Sequence, residues 1–247
     1  MKFRILTLFP EMFDSPLKSS LIGKAQERGI IGIEVANVRD YAQDKHKQVD
    51  DYPFGGGPGM VIRADVALRA LEDARRELPD ARTILLSPGG RMLSQELAGE
   101  LAAAKSLVLF CGHYEGVDNR ILAAVDEEVS IGDYVLTGGE LAALVVIDVV
   151  ARLIPGVLGS EESVSDESFT DGLLEYPQFT RPRKIDEMEV PPVLVSGNHE
   201  EIRRWRKKES IRKTLTARPD LLINKELNDE EKKFLLDIIL AGREGEE

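Results

Sequence analysis

Residues 106–140 have the sequence SLVLFCGHYEGVDNRILAAVDEEVSIGDYVLTGGE. Two apolar runs within it, 107–111 and 129–131, each end abruptly in glycine and polar residues. Short β-rich runs that end in glycine-bearing loops are typical of a buried parallel sheet. Ligands of open α/β sheets bind outside the carboxyl ends of the strands, where such loops lie together. The stretch therefore predicts two strands whose loops form a ligand site, although tight turns alone would also need glycines.

Composition is that of an ordinary globular protein. The chain has 247 residues, of which 43% are hydrophobic and 31% charged, enough for one large domain or a domain with a small appendage. The N-terminal segment lacks the long apolar core of a signal peptide, and no apolar stretch approaches the roughly 18 residues of a membrane span. The single cysteine, Cys111, excludes an internal disulfide framework and is expected to be a buried small residue. We therefore expect a cytoplasmic protein without a membrane segment.

Strand-like and helix-like segments alternate over the first 154 residues. Besides the two central runs, the β-rich segments are 2–9, 32–38 and 83–86. Helical spacing of apolar residues predicts helices at 16–28, 63–78, 94–105 and 140–154. Ser94 is a plausible cap for the third helix, and Asp14-Ser15 for the first. This alternation predicts an α/β fold with a mostly parallel sheet.

The composition changes after residue 159. Residues 160–171 are acidic and serine-rich and have little to bury, so we predict a flexible linker over 160–173. Helical spacing beyond it predicts a small helical domain at 174–247, which leaves 1–159 as the α/β domain.

A basic run in the C-terminal part bears on nucleic-acid binding. The net charge of −12 argues against it, but binding depends on local patches rather than on totals. Residues 203–213 include seven Lys/Arg residues and the tryptophan Trp205. The run is either a solvated helix face or an RNA-binding surface on which bases stack.

The segments CGHYEGVD at 111–118 and SIGDYVLTGGE at 130–140 resemble the signature of the bacterial tRNA (guanine-N1)-methyltransferase family, TrmD. Further similarity follows in the same order over nearly the whole chain, from GGGPGM at 55–60 to the region 181–206. The resemblance implies a SPOUT-class α/β fold with a deep trefoil knot. Threaded chains are so rare that the strand pattern by itself favours no knot.

Three glycine-bearing loops are similar to those that line the family's S-adenosylmethionine site. The first follows the strand at 83–86, and the other two are those of the central stretch. The resemblance implies that the methyl donor is held by Ser87, Pro88, Gly112, Tyr114, Glu115, Ile131, Gly132, Asp133, Tyr134, Val135, Leu136, Gly138 and Gly139. Glu115 would lie near the sulfonium or the amino group of the donor; a plain surface role is the alternative.

The glycine-rich loop at 55–59 lacks the lysine and the Ser/Thr of a phosphate-binding P-loop. By itself it is equally well explained as a surface turn. The resemblance implies that it holds the target guanine, with Asp50 accepting hydrogen bonds from guanine N–H groups and Pro58 and Gly59 among the contacts. The other implied tRNA contacts are Ser168, Arg181, Arg203 and Arg206.

Methylation at guanine N1 needs a base, because N1 carries a proton at neutral pH, and the resulting negative charge spreads onto O6. Arg152 is similar to the family arginine assigned to O6, although a helix-end arginine also offsets the helix dipole. The family base is an aspartate before a Ser-Phe pair. Here Glu167 has that position and Asp166 stands beside it, so the two carboxylates remain alternative bases.

The resemblance implies methyl transfer to the guanine at tRNA position 37, by a homodimer in which one subunit binds the donor and the other supplies the linker and C-terminal domain. Helix 140–154 fits a dimer face or a buried core helix. Magnesium is implied for the reaction, without a dedicated cage in this chain, and the scattered histidines predict no zinc site. The alternatives are a non-catalytic, donor-sensing RNA-binding module and, on the same fold, methylation of a ribose 2′-OH.

Overall fold

The computed structural model describes residues 1–159 and 167–244. The chain divides into two compact units, Met1–Glu161 and Glu162–Glu247. Part of the linker predicted at 160–173 therefore lies outside the described residues, and so does Asp166.

A parallel sheet forms the centre of the first unit. In chain order its strands and those of a short ribbon are β1 (Lys2–Thr7), β2 (Gly32–Asn37), β3 (Asp50–Asp51), β4 (Val61–Ile62), β5 (Arg82–Met92), β6 (Ser106–Cys111) and β7 (Glu127–Ser130). Five of them form the sheet in the order β2-β1-β6-β5-β7, and every neighbouring pair is parallel. The antiparallel pair β3–β4 is the ribbon. The predicted α/β fold with a parallel sheet is confirmed.

Helices cover both faces of this sheet. They are α1 (Ser20–Glu27), α2 (Ala64–Glu77), α3 (Gln95–Ala102) and α4 (Glu140–Arg152). Ser94 caps α3 as predicted, because its Oγ accepts a hydrogen bond of 3.2 Å from the Leu97 N–H. The predicted cap at Asp14-Ser15 is wrong: Pro16–Lys18 forms a separate 3₁₀ turn, since proline suits a first helical turn, and α1 begins only after Ser19.

Strand β5 is longer than the predicted 83–86. Leu86 and Arg91 are both in register with Val129, so residues 87–90 bulge out of the ladder and the strand then resumes. A Cβ at Gly90 would collide with the backbone of Glu128 and Val129, which explains the glycine. The loop predicted to follow the strand at 83–86 is thus a bulge within one longer strand.

The core lies in two layers, one on each face of the sheet. One layer packs α1, α3 and α4 against the sheet, and the other packs α2. All six residues of β6 are buried, which explains why its sequence is a continuous apolar run rather than an alternating one. Each such buried Leu or Phe contributes roughly 1.5–3 kcal/mol.

The second unit is mainly helical. It contains a two-stranded ribbon of β8 (Lys184–Ile185) and β9 (Met188–Glu189), followed by α5 (His199–Ala217), α6 (Pro219–Asn224) and α7 (Asp229–Glu244). Its small core is built on Leu173, Ile211 and Phe234. Before the ribbon, residues 167–173 form a turn in which the Phe169 N–H donates to the Leu173 carbonyl at 2.8 Å. No helix in the described parts of either unit is long and apolar enough to cross a membrane.

Candidate functional site

A cavity of about 430 Å³ lies in the first unit where β6 and β7 end and β5 bulges. Its size is within the range of about 300–1,000 Å³ that is usual for small-molecule sites. The cavity brings together twelve of the thirteen residues predicted to hold a methyl donor: Ser87, Pro88, Gly112, Tyr114, Glu115, Ile131, Gly132, Tyr134, Val135, Leu136, Gly138 and Gly139. Asp133 is exposed and is not part of its lining.

Glycines allow the loops around this cavity to approach one another closely. The Gly139 N–H donates to the Gly112 carbonyl at 2.8 Å, and His113 forms an isolated antiparallel bridge with Gly138. A Cβ at Gly139 would lie 2.8 Å from the Cα of Cys111. A Cβ at Gly138 would collide with the side chains of His113 and Glu140. The loops after β6 and β7 are therefore joined by backbone at a separation that no side chain permits.

A group of buried polar side chains adjoins the cavity. Glu140 is the first residue of α4 and is only 1% exposed. The Thr7 hydroxyl donates to its Oε1 at 2.8 Å, and its Oε2 lies 3.8 Å from His113 Nδ1. The His113 ring packs on Phe9 and on Tyr114, with centroids 4.8 and 5.0 Å apart. Among the described residues, His113 Nδ1 is buried and has no hydrogen-bond partner.

The Thr7–Glu140–His113 group was not predicted from the sequence. His113 was expected only as a member of the second donor loop and as one of the scattered histidines, and Glu140 had no assigned role. The available signal was a glutamate that opens a largely apolar helix. Other polar lining residues that were not predicted are Asn119, Glu128, Ser130 and Thr137.

The loop predicted to hold guanine adjoins this cavity. The Ile62 N–H donates to the Gly116 carbonyl at 3.0 Å, and the Glu115 N–H donates to the Met60 carbonyl at 3.1 Å. A Cβ at Gly59 would collide with the Glu115 side chain. Asp50 is half-buried in β3, whereas Pro58 and Gly59 are exposed. The structure thus brings the predicted guanine loop and the predicted donor loop together within one unit.

The residues predicted to carry out the chemistry lie in different units. Arg152 is the last residue of α4 in the first unit. Glu167 is in the second unit, where it lines a cavity of about 350 Å³ together with Tyr176, Arg203 and Arg206. The Ser168 hydroxyl accepts a hydrogen bond of 2.9 Å from the Glu175 N–H.

Cys111 is the packing residue that its position at the end of an apolar strand indicates. Burial, and then the charge of nearby Glu140, raise the pKa of its thiol well above the ordinary value. A protonated thiol is a poor nucleophile. In the described ranges, no three His, Cys, Asp or Glu side chains come together as a metal site would require.

Most of the charge of the basic run is neutralised within the second unit. Ion pairs join Arg203 to Glu200 and Glu230, Arg204 to Glu230, Lys207 to Asp171 and Glu231, Lys208 to Asp237, and Arg212 to Glu209. Of the remaining two, the Lys213 ammonium donates to the Glu175 carbonyl at 3.1 Å, and the Arg206 guanidinium lies 4.8 Å from the ring centroid of Tyr176. Arg181, before the run, is exposed.

Comparisons with known proteins agree with one another. The family model described as tRNA (Guanine-1)-methyltransferase TrmD matches residues 1–224. A protein of Syntrophomonas wolfei is 58% identical over 244 residues, covering 99% of both chains. One of Moorella thermoacetica is 53% identical over 249 residues, covering 100% of this chain and 99% of the relative. One of Carboxydothermus hydrogenoformans is 55% identical over 236 residues, covering 95% of this chain and 92% of the relative. All three relatives bear the name tRNA (guanine-N(1)-)-methyltransferase.

Proposed function

Because the chain belongs to the tRNA (guanine-1)-methyltransferase TrmD family, we propose that it methylates the guanosine at position 37 of tRNA, beside the anticodon. As a member of that family it is an enzyme that transfers a methyl group to N1 of guanine in tRNA, and the family implies S-adenosylmethionine as the donor. The proposal adds to this the position of the target and the roles of individual residues.

The glycine-lined cavity of the first unit is the donor site in this proposal. S-adenosylmethionine supplies an electrophilic methyl group on a sulfonium cation. The observation that carries the assignment is the close approach of the loops after β6 and β7. The Gly139 N–H donates to the Gly112 carbonyl, and a Cβ at Gly139 would collide with the backbone of Cys111 and Gly112. Backbone N–H and C=O groups exposed in this way suit an adenine edge, and the apolar wall suits its face. Two carboxylates in the lining, Glu115 and Glu128, suit the positive charge of the donor.

The β3–β4 ribbon and the loop between its strands hold the target guanine in this proposal. Support comes from the backbone hydrogen bonds that join Met60 and Ile62, at the end of this loop, to residues 115–118. Asp50 accepts from the guanine N–H groups, and the bare backbone at Gly59 packs on the base. The methyl group and its acceptor are thereby held at adjacent loops, which is the main contribution an enzyme makes to a two-substrate transfer.

Glu167 or Asp166 removes the N1 proton, and Arg152 stabilises the charge that develops on O6. A carboxylate within reach of N1 and a cation at O6 meet the two demands of the reaction. The similarity of Arg152, the last residue of α4, to the family arginine assigned to O6 supports its role.

The active enzyme is a homodimer in the cytoplasm, with a deep trefoil knot around the donor site, and magnesium assists the reaction. Support for the dimer comes from Leu141 and Val145, which are one turn apart on α4 and 49% and 40% exposed. An apolar strip of this kind on a helix fits a second copy of the same surface.

Methyl transfer from labelled donor to a tRNA transcript tests the proposal. Transcripts with guanine or adenine at position 37 are compared, using the wild type, Glu167→Gln, Asp166→Asn and Arg152→Ala. We expect label only with guanine, a loss of about 10²–10⁴-fold in one carboxylate variant, and a loss of about 10²-fold in Arg152→Ala.

Other outcomes would point elsewhere. Label with either nucleotide would indicate a different target, including a ribose hydroxyl. Absence of label despite binding of both tRNA and donor would favour the non-catalytic RNA-binding module.

A further inference from the structure

A second cavity in the C-terminal unit, here called the aromatic cavity, is lined by Tyr176, Phe179, Arg181, Trp205 and Arg206. Apolar residues and the polar side chains of Gln178, Thr180 and Arg183 complete its lining. We infer that it binds one unpaired nucleobase of the tRNA by stacking, without regard to which base it is. The inference rests on the proposed tRNA substrate and adds a subsite to it.

The shape of the aromatic cavity suits a flat ring. Its volume is about 350 Å³. Phe179 and Trp205 both line it and pack against each other, with ring centroids 6.2 Å apart and planes inclined at 58°. Phe179 is 46% exposed, and neither ring belongs to the small core of this unit around Ile211. Large aromatic side chains that remain accessible and do not serve a core are the usual stacking surfaces of single-stranded RNA sites.

The charge at the aromatic cavity differs from that along the rest of α5. Neither Arg181 nor Arg206 forms an ion pair with any acidic side chain that the structure describes, whereas five basic residues of the same run do. The Arg206 guanidinium lies over the Tyr176 ring, and its Nε is buried without a hydrogen-bond partner in the described chain. Two uncompensated guanidinium groups beside aromatic rings suit a base and its phosphate.

The lining also explains why stacking rather than base identity is expected. Among the described lining residues there is no carboxylate, and the side chains are mostly aromatic, apolar or arginine. The other two are Thr180 and Gln178, whose amide already donates to the Glu175 carboxylate at 2.5 Å. Stacking is tolerant of sequence, because every base has a π face. A site of this composition holds a nucleotide in position and leaves the choice of guanine to the residues around Asp50.

The position of the aromatic cavity points to a nucleotide near the methylated guanine. It shares a wall, formed by Tyr176, Ile202 and Arg206, with the cavity that Glu167 lines. Both cavities lie within the second unit. A base stacked on Trp205 would therefore lie next to the carboxylate proposed to act on the target nucleotide.

Trp205 is the only tryptophan in the chain, so intrinsic tryptophan emission reports on this cavity alone. The first measurement is emission of the full-length wild type during titration with an unmodified tRNA transcript. We expect quenching that saturates at the same concentration as binding. Transcripts with an abasic site at each anticodon-loop position in turn should identify one position whose removal abolishes the quenching, while base exchanges at that position should preserve it.

The second measurement separates binding from chemistry. Trp205→Leu should raise KM for tRNA by roughly 10- to 100-fold, the effect expected for one stacked base, with kcat and donor affinity unchanged. Trp205→Phe should restore most of the loss because it keeps a flat ring. Lys208→Gln is the matched control on the same helix, since Lys208 is already paired with Asp237 at 3.7 Å, and it should change KM by less than about twofold.

The inference would be overturned by saturable tRNA binding without quenching, or by a wild-type KM in a folded Trp205→Leu variant. Its failure is distinguishable from failure of the proposed function. Quenching by tRNA in an enzyme that labels position 37 regardless of base would remove the proposed target but leave the stacking site. Guanine-specific labelling with no quenching would remove the stacking site but leave the proposed target.

Discussion

The donor cavity and helix α5 differ in how far their sequence predicts their role. In the cavity, the glycines at 138 and 139 are explained by neighbours within 28 residues along the chain. A Cβ at Gly138 would collide with the side chains of His113 and Glu140, and one at Gly139 with the backbone of Cys111 and Gly112. Along α5, the seven basic residues predict a positive surface, yet five are paired, several with acids from other segments such as Asp171 and Glu230. Steric need is a local property, whereas net charge at a surface depends on its tertiary neighbours.

Gly139→Ala tests the steric half of this comparison and should have the largest effect. The new Cβ would lie 2.8 Å from the Cα of Cys111 and 3.0 Å from the Gly112 nitrogen, so backbone would have to move. We expect donor affinity to fall more than about 100-fold, and stability to fall by about 1–3 kcal/mol from overpacking. Equilibrium donor binding and thermal melting measure the two quantities.

Gly99→Ala is the matched control for that substitution. Gly99 lies inside α3, and a Cβ there meets nothing within 4 Å. The same chemical change should therefore leave donor binding intact and raise stability by about 0.5–1 kcal/mol, because alanine is the better helix former. Normal donor binding by Gly139→Ala would refute the close-approach explanation of the loop.

Glu140→Ala should have the next largest effect. It removes a buried acceptor, so that the Thr7 O–H loses its acceptor although its oxygen still accepts from the Phe9 N–H. It also frees the His113 ring that adjoins Tyr114 in the cavity lining. We expect a loss of about 1–3 kcal/mol in stability and a rise of about tenfold in KM for the donor, which corresponds to about 1.4 kcal/mol.

Glu140→Gln keeps an oxygen for Thr7 and should recover most of the stability and donor affinity. A lowered melting temperature in Glu140→Ala with an unchanged KM for the donor would contradict the positioning role. In that case the buried glutamate would serve only the fold.

The same contrast explains what the sequence could and could not predict. The strands and helices of the first unit follow from apolar runs and helical spacing, and β6 is buried along its whole length as its sequence indicates. The glycine loops were found because their cause is local. The resumption of β5 after residue 90 was missed, since a bulge of polar and glycine residues looks like the end of a strand.

Two features of the site depend on long-range contacts and left no local pattern. Thr7 is 133 residues from Glu140, so no spacing rule relates them. The acids that neutralise α5 also come from distant segments, since Asp171 is 36 residues before its partner Lys207. The aromatic cavity was likewise invisible, because Phe179 and Trp205 are separated by residues that include the β8–β9 ribbon.

Lys207→Met tests the ion pairing of α5 and should have a moderate effect. Lys207 bridges Asp171 at 2.7 Å and the buried Glu231 at 3.5 Å. We expect the second unit to lose about 1 kcal/mol of stability, while KM for tRNA changes by less than about twofold. Thermal melting monitored by Trp205 emission measures the stability. A large rise in KM with unchanged melting would show that Lys207 serves the RNA rather than the fold.

The pH dependence of that melting follows from Asp171. Burial acts to raise its pKa, but hydrogen bonds from Lys207 and Lys225 outweigh it and hold the pKa below the ordinary value. A lowered folded-state pKa means that the stabilisation is complete above the unfolded value of about 4 and is lost as the pH falls through the folded value. Stability of the second unit should therefore decline below about pH 4, and this acid-side loss should be smaller in Lys207→Met. An identical decline in both proteins would contradict the assignment.

Arg203→Gln should have the smallest effect, although resemblance alone places Arg203 among the tRNA contacts. Hydrogen bonds to Glu200 and Glu230 raise its pKa and bind its charge to two carboxylates, so few counterions are released when RNA approaches it. We expect KM for tRNA to rise less than about twofold, with an unchanged salt dependence.

Arg206→Gln should instead lower the slope of log K against log salt by about 0.7–0.9. Glu230→Gln is the reciprocal change: it releases Arg204, removes one of the two carboxylates paired with Arg203, and should strengthen tRNA binding. Equal weakening of tRNA binding by Arg203→Gln and Arg206→Gln would contradict this explanation. It would show that ion pairing within the protein does not decide which arginines of α5 bind RNA.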